Sequence, residues 1–216
     1  MIKKLNLAGT WDFAMDPEKK GIDEHIYSKE LSDNIPLPGT ISMAQKGTPS
    51  DVKETGFLTD PYLFEGYAWY AKEIDLDRTD LDKNIILYLE RTRMTKVWVD
   101  DQLVGDFDSL NTPHEYDLTP YLKQTHFRLT ILVSNVDYPT KGGHLTSPDT
   151  QTNWNGIIGE IALHIFDQCY IKNVKTFPDT KTRTVRVTFD TVNTTKEEHE
   201  LTLQTQAFLT DISGDT

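Results

Sequence analysis

The sequence predicts an all-β protein built as an antiparallel sandwich. Strand-length runs of β-branched and aromatic residues recur along it. Polar turn residues separate the runs, as at Asp100-Asp101, Asp179-Thr180-Lys181-Thr182 and Asn193-Thr194-Thr195-Lys196. No long segment carries the 3.6-residue period of a helix.

Taken in order, residues 34–66 come first as an irregular stretch. They run through Pro36, Pro38, Gly39, Gly47, Pro49, Gly56, Pro61 and Gly66 with little periodicity. Residues 85–89 (Ile-Ile-Leu-Tyr-Leu), 95–99 (Thr-Lys-Val-Trp-Val) and 127–133 (Phe-Arg-Leu-Thr-Ile-Leu-Val) read as strands. Between them, Asp117 or Thr119 caps a short helical turn that Pro120 opens. A second irregular stretch covers residues 137–156. Structureless loops beyond about 12–15 residues are often functional, although they also serve as plain crossovers between sheets. Residues 157–165 and 184–189 alternate with period two, as half-buried strands do.

Near Asp167-Gln168-Cys169 the organisation changes, and three strand-like segments follow at 170–177, 183–192 and 199–208. An immunoglobulin-like sandwich takes about seven strands in about 100 residues. The expected division is therefore a first domain over residues 1–167 and an incomplete immunoglobulin-like domain over 168–216. Half a core with an open edge costs stability unless something covers it. The chain reads as part of a longer protein.

Its 216 residues carry 22 Lys+Arg against 34 Asp+Glu, a net charge of −12. That balance argues against a nucleic-acid partner, which needs a basic face, and against an anionic membrane surface. No run approaches the ~20 apolar residues of a membrane span. Two lysines near the start lack an apolar run behind them, so they do not make an export signal, and the compartment stays open. Cys169 is the single cysteine, which excludes an internal disulfide. The six histidines show no two-ligand spacing. Asp75, Asp77, Asp80 and Asp82 lack the glycine of a calcium loop and read as a solvated turn. Nucleophile-elbow, phosphate-loop and dinucleotide motifs are missing.

Aromatics and amides gather instead on the two irregular stretches. Asp60, Tyr62, Phe64, Tyr67 and Trp69 sit on or beside the first; His144, Asp149, Gln151, Asn153, Trp154 and Asn155 sit on the second. Flat rings stack on the C–H faces of sugars, and planar amides and carboxylates pair with hydroxyls. The bland reading is that the tryptophans pack the sheets and that Gln151 and Asn153 close their loop through backbone hydrogen bonds.

Seven segments then occur in order: Leu7-Ala8-Gly9-Thr10-Trp11-Asp12-Phe13; Leu37-Pro38-Gly39-Thr40; Glu65-Gly66-Tyr67-Ala68-Trp69-Tyr70 with Lys72-Glu73-Ile74; Leu87-Tyr88-Leu89-Glu90-Arg91-Thr92; Thr95-Lys96-Val97-Trp98-Val99-Asp100; Tyr116-Asp117-Leu118-Thr119; and Thr150-Gln151-Thr152-Asn153-Trp154-Asn155-Gly156-Ile157-Ile158-Gly159. Together, over about residues 5–166, they resemble the N-terminal sugar-binding domain of glycoside hydrolase family 2, the β-galactosidase, β-glucuronidase and β-mannosidase group. The resemblance implies a galactose-binding-like jelly roll followed by an immunoglobulin-like domain. It places catalysis in a separate (β/α)₈ barrel of about 250 residues, too long for this chain. The acid/base glutamate of that barrel follows an asparagine, and this sequence has no Asn-Glu dipeptide. The expected role is non-catalytic: supporting the absent barrel and shaping its sugar pocket. By the resemblance, Asp60, Gln151 and Asn153 are the substrate-contacting candidates. A structural calcium is also common in such jelly rolls, but no ligand set for one stands out. The alternatives are a free-standing carbohydrate-binding module and an assembly module that binds no sugar.

Overall fold

The computed structural model describes residues 2–53, 55–56, 58–140, 142–147, 152–206 and 208. The chain forms two compact units, Met1–Tyr170 and Ile171–Thr216. Among the described residues the strands are β1 (Lys3–Asn6), β2 (Gly9–Asp16), β3 (Asp33–Leu37), β4 (Gly39–Thr40), β5 (Thr48–Pro49), β6 (Tyr62–Leu63), β7 (Tyr67–Asp75), β8 (Asn84–Leu89), β9 (Met94–Val99), β10 (Gln102–Phe107), β11 (His114–Asp117), β12 (His126–Ser134), β13 (Gly156–Ile157), β14 (Ile161–Phe166), β15 (Cys169–Asp179) and β16 (Thr184–Asn193). The predicted all-β class is what the chain adopts. No described helix is long and apolar enough to cross a membrane.

In the first unit, a four-stranded antiparallel sheet (β1-β14-β8-β11) packs on a six-stranded one (β10-β9-β12-β7-β2-β3). Alternation decides which side chains meet between them. From the larger sheet come Trp11, Phe13, Tyr70, Phe127, Leu129 and Ile131; from the smaller come Ile85, Leu87, Leu89, Leu163 and Ile165. The larger sheet is also covered on its outer face. There Trp69, Trp98 and Leu132 lie under Ile22, Ile26, Tyr27 and Leu31 from the β2–β3 connection. Tyr27 stacks on Trp98 with ring centroids 5.2 Å apart. Asp16 pins the start of this connection: its carboxylate accepts the Lys20 and Gly21 N–H groups at 3.0 and 2.8 Å and Trp69 Nε1–H at 3.3 Å.

Three expectations need correction. Within the first irregular stretch, residues 33–37 form β3 despite Pro36, because β3 lies at the sheet edge where proline forfeits no ladder bond. Residues 157–165 are two strands: at the break, Ile158 and Gly159 donate to the Arg91 and Glu90 carbonyls, each at 3.0 Å. β13 then pairs with β4 while β14 joins β8. In the second unit, β15 and β16 form a two-stranded sheet, but residues 199–206 carry no ladder. An apolar run becomes a strand only when an edge accepts it. The Pro120 turn forms over Thr119–Tyr121, but Leu118 and neither Asp117 nor Thr119 takes the N-cap position; Asp117, one residue before it, accepts the Thr119 N–H with Oδ1 at 3.0 Å.

One buried polar group makes stability depend on pH. His114, fully buried, donates from Nε2 to the Ser109 carbonyl at 2.7 Å, so its Nδ1 accepts from the Thr95 hydroxyl at 2.6 Å. Burial holds its pKa below the ordinary histidine value, against the opposing pull of Ser109 and Asp108. The unfolded chain therefore takes up this proton first as pH falls. Stability is full above about pH 6.5 and declines below it, by at most about 1.4 kcal/mol per pH unit from this group. Urea titrations between neutral and mildly acidic pH are expected to show a flatter decline in His114→Asn than in the parent.

Candidate functional site

The two irregular stretches meet along an open pocket of about 910 Å³. Its lining comes from Met15 near the end of β2 and Pro17 just past it, from residues 47–48, 50, 52, 58–60 and 63–65, and from Thr152 and Asn153. A short ribbon shapes the first stretch: β5 and β6 pair Thr48 with Leu63 and Pro49 with Tyr62, and Ser50 N–H donates to the Pro61 carbonyl at 2.9 Å. Phe64 closes the ribbon, lining the cavity and packing against the main core.

Asn135, wholly buried just past β12, joins the two stretches. Its Oδ1 accepts the Gly66 N–H at 3.0 Å, and its Nδ2 donates to the Phe64 carbonyl at 2.7 Å and the Asn153 carbonyl at 2.8 Å. Asn155 fixes the far end of the second stretch. Its Oδ1 accepts the Tyr70 hydroxyl at 3.0 Å, and its Nδ2 donates to the Val133 carbonyl at 2.9 Å. Burial pushes the Tyr70 pKa far up, so the phenol stays a donor.

Arg93 holds the middle of that stretch. Its guanidinium, buried within the first unit, donates to the carbonyls of Leu145 (2.8 Å), Thr152 (3.2 Å) and Trp154 (3.2 Å). It also stacks over the Trp154 ring at 4.2 Å and lies 5.6 Å from the Tyr138 ring centroid. Burial lowers the Arg93 pKa, but an arginine starts so high that it remains charged. A planar fork of donors can meet several carbonyls at once, which suits it to fixing irregular backbone.

Of the sequence candidates, Asp60 and Asn153 both line the cavity. Asp60 is half-buried, and among the described residues no hydrogen bond holds its carboxylate. Asn153 Oδ1 accepts the Tyr138 hydroxyl at 2.8 Å, and Nδ2 donates to Glu65 Oε1 at 3.3 Å. An amide has two donor hydrogens and two acceptor lone pairs, so half its capacity is left for a ligand. Gln151 and Asp149 lie outside the described residues. Trp11, Trp69 and Trp98 are core residues, as the bland reading has it. Among the described residues no three His, Cys, Asp or Glu side chains gather as a metal shell.

The sequence model for the sugar binding domain of glycosyl hydrolases family 2 matches residues 2–166, more than half of the chain. This chain belongs to family 2. Among curated relatives, the β-galactosidase of Thermoanaerobacter pseudethanolicus is 29% identical over 124 residues, which is 55% of this chain and 16% of that protein. The β-glucuronidase of Paenibacillus borealis is 27% identical over 133 residues, 61% of this chain and 21% of that protein. The chain thus spans about a fifth or less of the length of these relatives. Solved structures share the fold: a β-glucuronidase from an uncultured Clostridium superposes with a TM-score of 0.63 at 22% identity, covering 88% of this chain and 34% of that one. For the Ruminococcus gnavus β-glucuronidase the TM-score is 0.67 at 16% identity, covering 90% and 34%. What matches in this chain is the family's β-sandwich sugar-binding domain, with no counterpart to a barrel among its described elements.

The residues that organise this site, Arg93 and Asn135, are not among the sequence candidates. Arg93 stands between two strand-like runs, where one charged residue reads as an ordinary turn. Asn135 follows the 127–133 run and reads as a strand-ending polar residue.

Proposed function

We propose that residues 1–167 serve as the sugar-binding domain of a longer family-2 β-glycosidase whose barrel supplies the chemistry. In this reading residues 168–216 begin an immunoglobulin-like domain. Exposed Val174, Val185 and Val187 on the β15–β16 hairpin support it, because a hairpin with bare apolar side chains asks for a covering layer. The hydrolysis is assigned to two barrel glutamates acting with retention of configuration, and the present chain contributes to the wall of the sugar pocket. Galactose is neutral and glucuronate acidic, so the names of the two curated relatives leave the sugar open between those classes.

The observation that carries this reading is the cavity that brings Asp60 and Asn153 together from stretches about ninety residues apart. Gln151, two residues from Asn153 in sequence, completes the proposed contacts. Replacing Asp60 or Asn153 with alanine in the intact enzyme is expected to lower kcat/KM about tenfold or more, the worth of one good polar contact to a sugar. Unchanged kinetics in both variants would remove the site assignment. An antibody against this chain is expected to detect a native product larger than 216 residues by at least a barrel of about 250 residues. A product of this chain's own size would favour a free-standing binding module.

A further inference from the structure

Building on the sugar site proposed above, we infer that Tyr138 is a positioning residue for it. The phenol hydroxyl, acting with Glu65, holds the Asn153 side chain in one orientation and aims its remaining hydrogen-bonding capacity into the pocket. Asn153 and Glu65 line that pocket, whereas Tyr138 stands outside the lining. Its effect on a ligand there is therefore indirect, through the side chain it bonds. The Tyr138 hydroxyl donates to Asn153 Oδ1 at 2.8 Å, and Asn153 Nδ2 donates in turn to Glu65 Oε1 at 3.3 Å.

The chemistry of these three groups decides which way the amide faces. A primary amide has an accepting end and a donating end of nearly the same shape, and a half-turn about its last bond exchanges them. The phenol hydroxyl can give or take a hydrogen bond, so alone it tolerates either end. An ionised carboxylate only accepts. Glu65 therefore requires Nδ2 on its side, which leaves Oδ1 for Tyr138, and the phenol must donate. Burial pushes the Tyr138 pKa up, Arg93 pulls against it and the Glu65 charge adds to it, so the phenol keeps its proton. A flipped amide would set Oδ1 against the Glu65 carboxylate, two acceptors face to face.

The backbone beneath is held as well. The Asn153 carbonyl accepts from Asn135 Nδ2 at 2.8 Å, and the carbonyls on either side, Thr152 and Trp154, accept from Arg93 at 3.2 Å each. With main chain and side chain both fixed, one N–H and one lone pair of the Asn153 amide remain for a ligand. A sugar hydroxyl, donor and acceptor at once, can use either. A side chain ordered beforehand gives up no rotamer freedom on binding, a gain of about threefold to tenfold in affinity.

A double-mutant cycle in the intact enzyme tests this. The probes are the p-nitrophenyl β-galactoside, β-glucoside, β-mannoside and β-glucuronide, and the cycle is run on whichever is hydrolysed fastest. Tyr138→Phe keeps the ring beside Arg93 and removes only the hydroxyl; its circular dichroism confirms that it folds. Alone it is expected to lower kcat/KM about threefold to tenfold. Added to Asn153→Ala it is expected to cost less than about twofold more, because the side chain it positions is gone. A hydroxyl that merely braces the loop would cost as much in the Asn153→Ala background as in the parent. That result overturns the inference and leaves the sugar site standing, as does parental kcat/KM in Tyr138→Phe. Unchanged kinetics in Asn153→Ala overturns the inference and removes Asn153 from the sugar site. Hydrolysis of none of the four probes overturns the inference together with the glycosidase reading.

Discussion

Gly156→Ala is expected to destabilise the first unit by about 3–5 kcal/mol, read as a lower urea midpoint with an unchanged slope. Two costs combine. Gly156 has a φ of +149°, which L side chains rarely adopt, and such strain is worth about 1–3 kcal/mol. A Cβ there would also stand 2.2 Å from the Gly39 carbonyl oxygen and 2.8 Å from Thr40 Cα, both backbone atoms. Neither can swing aside as a side chain would, so relief means parting β13 from β4, a further 1–3 kcal/mol or so. Gly142 provides the control. It also has a positive φ, +70°, but a Cβ there meets nothing within 4 Å. Gly142→Ala is expected to cost about 1 kcal/mol. Equal costs at the two positions would show that the close approach at Gly39 is unimportant.

Arg93→Met is expected to cost about 3 kcal/mol and to loosen the second irregular stretch. Methionine fills much of the volume but leaves the carbonyls of Leu145, Thr152 and Trp154 without the guanidinium donors. Each buried carbonyl so orphaned is worth about 1–3 kcal/mol, less where water can reach it. The stacking on Trp154 is lost as well. Faster amide exchange across residues 152–156, without a change in β8 or β12, is the distinguishing readout. Arg93→Lys is expected to recover less than half of the loss, since an ammonium is a compact charge and cannot spread over three carbonyls. Full recovery by lysine would mean that charge alone, not the fork, holds the loop.

Much of the fold was legible in the residues themselves. Runs at 85–89, 95–99 and 127–133 became β8, β9 and β12 because β-branched and aromatic side chains between polar turns have few other uses. β7 was legible only through the family likeness, because both its faces are covered: Ala68 and Tyr70 point into the main core and Trp69 into the outer cluster, which erases alternation. The cover itself, residues 17–31, has no strand pattern, and nothing local says that Tyr27 will find Trp98. The site follows the same division. Aromatics, amides and carboxylates on proline- and glycine-rich stretches marked the region, and the family likeness singled out Asp60 and Asn153 within it. That Asn135 would bond to both stretches depends on sheet register, which a single sequence does not display.

The six-stranded sheet has an edge at each side, and both are blunted. On β3, Pro36 stands opposite Thr10 and offers no N–H to a newcomer. On β10, the pairing with β9 shifts register between Leu103 and Gly105, which bends the outer strand away from a flat template. Such edges resist extension by another polypeptide, in crowded solution as in an assembly. Whatever meets the six-stranded sheet is thereby turned toward its faces or its loop end rather than toward lengthening its ladder.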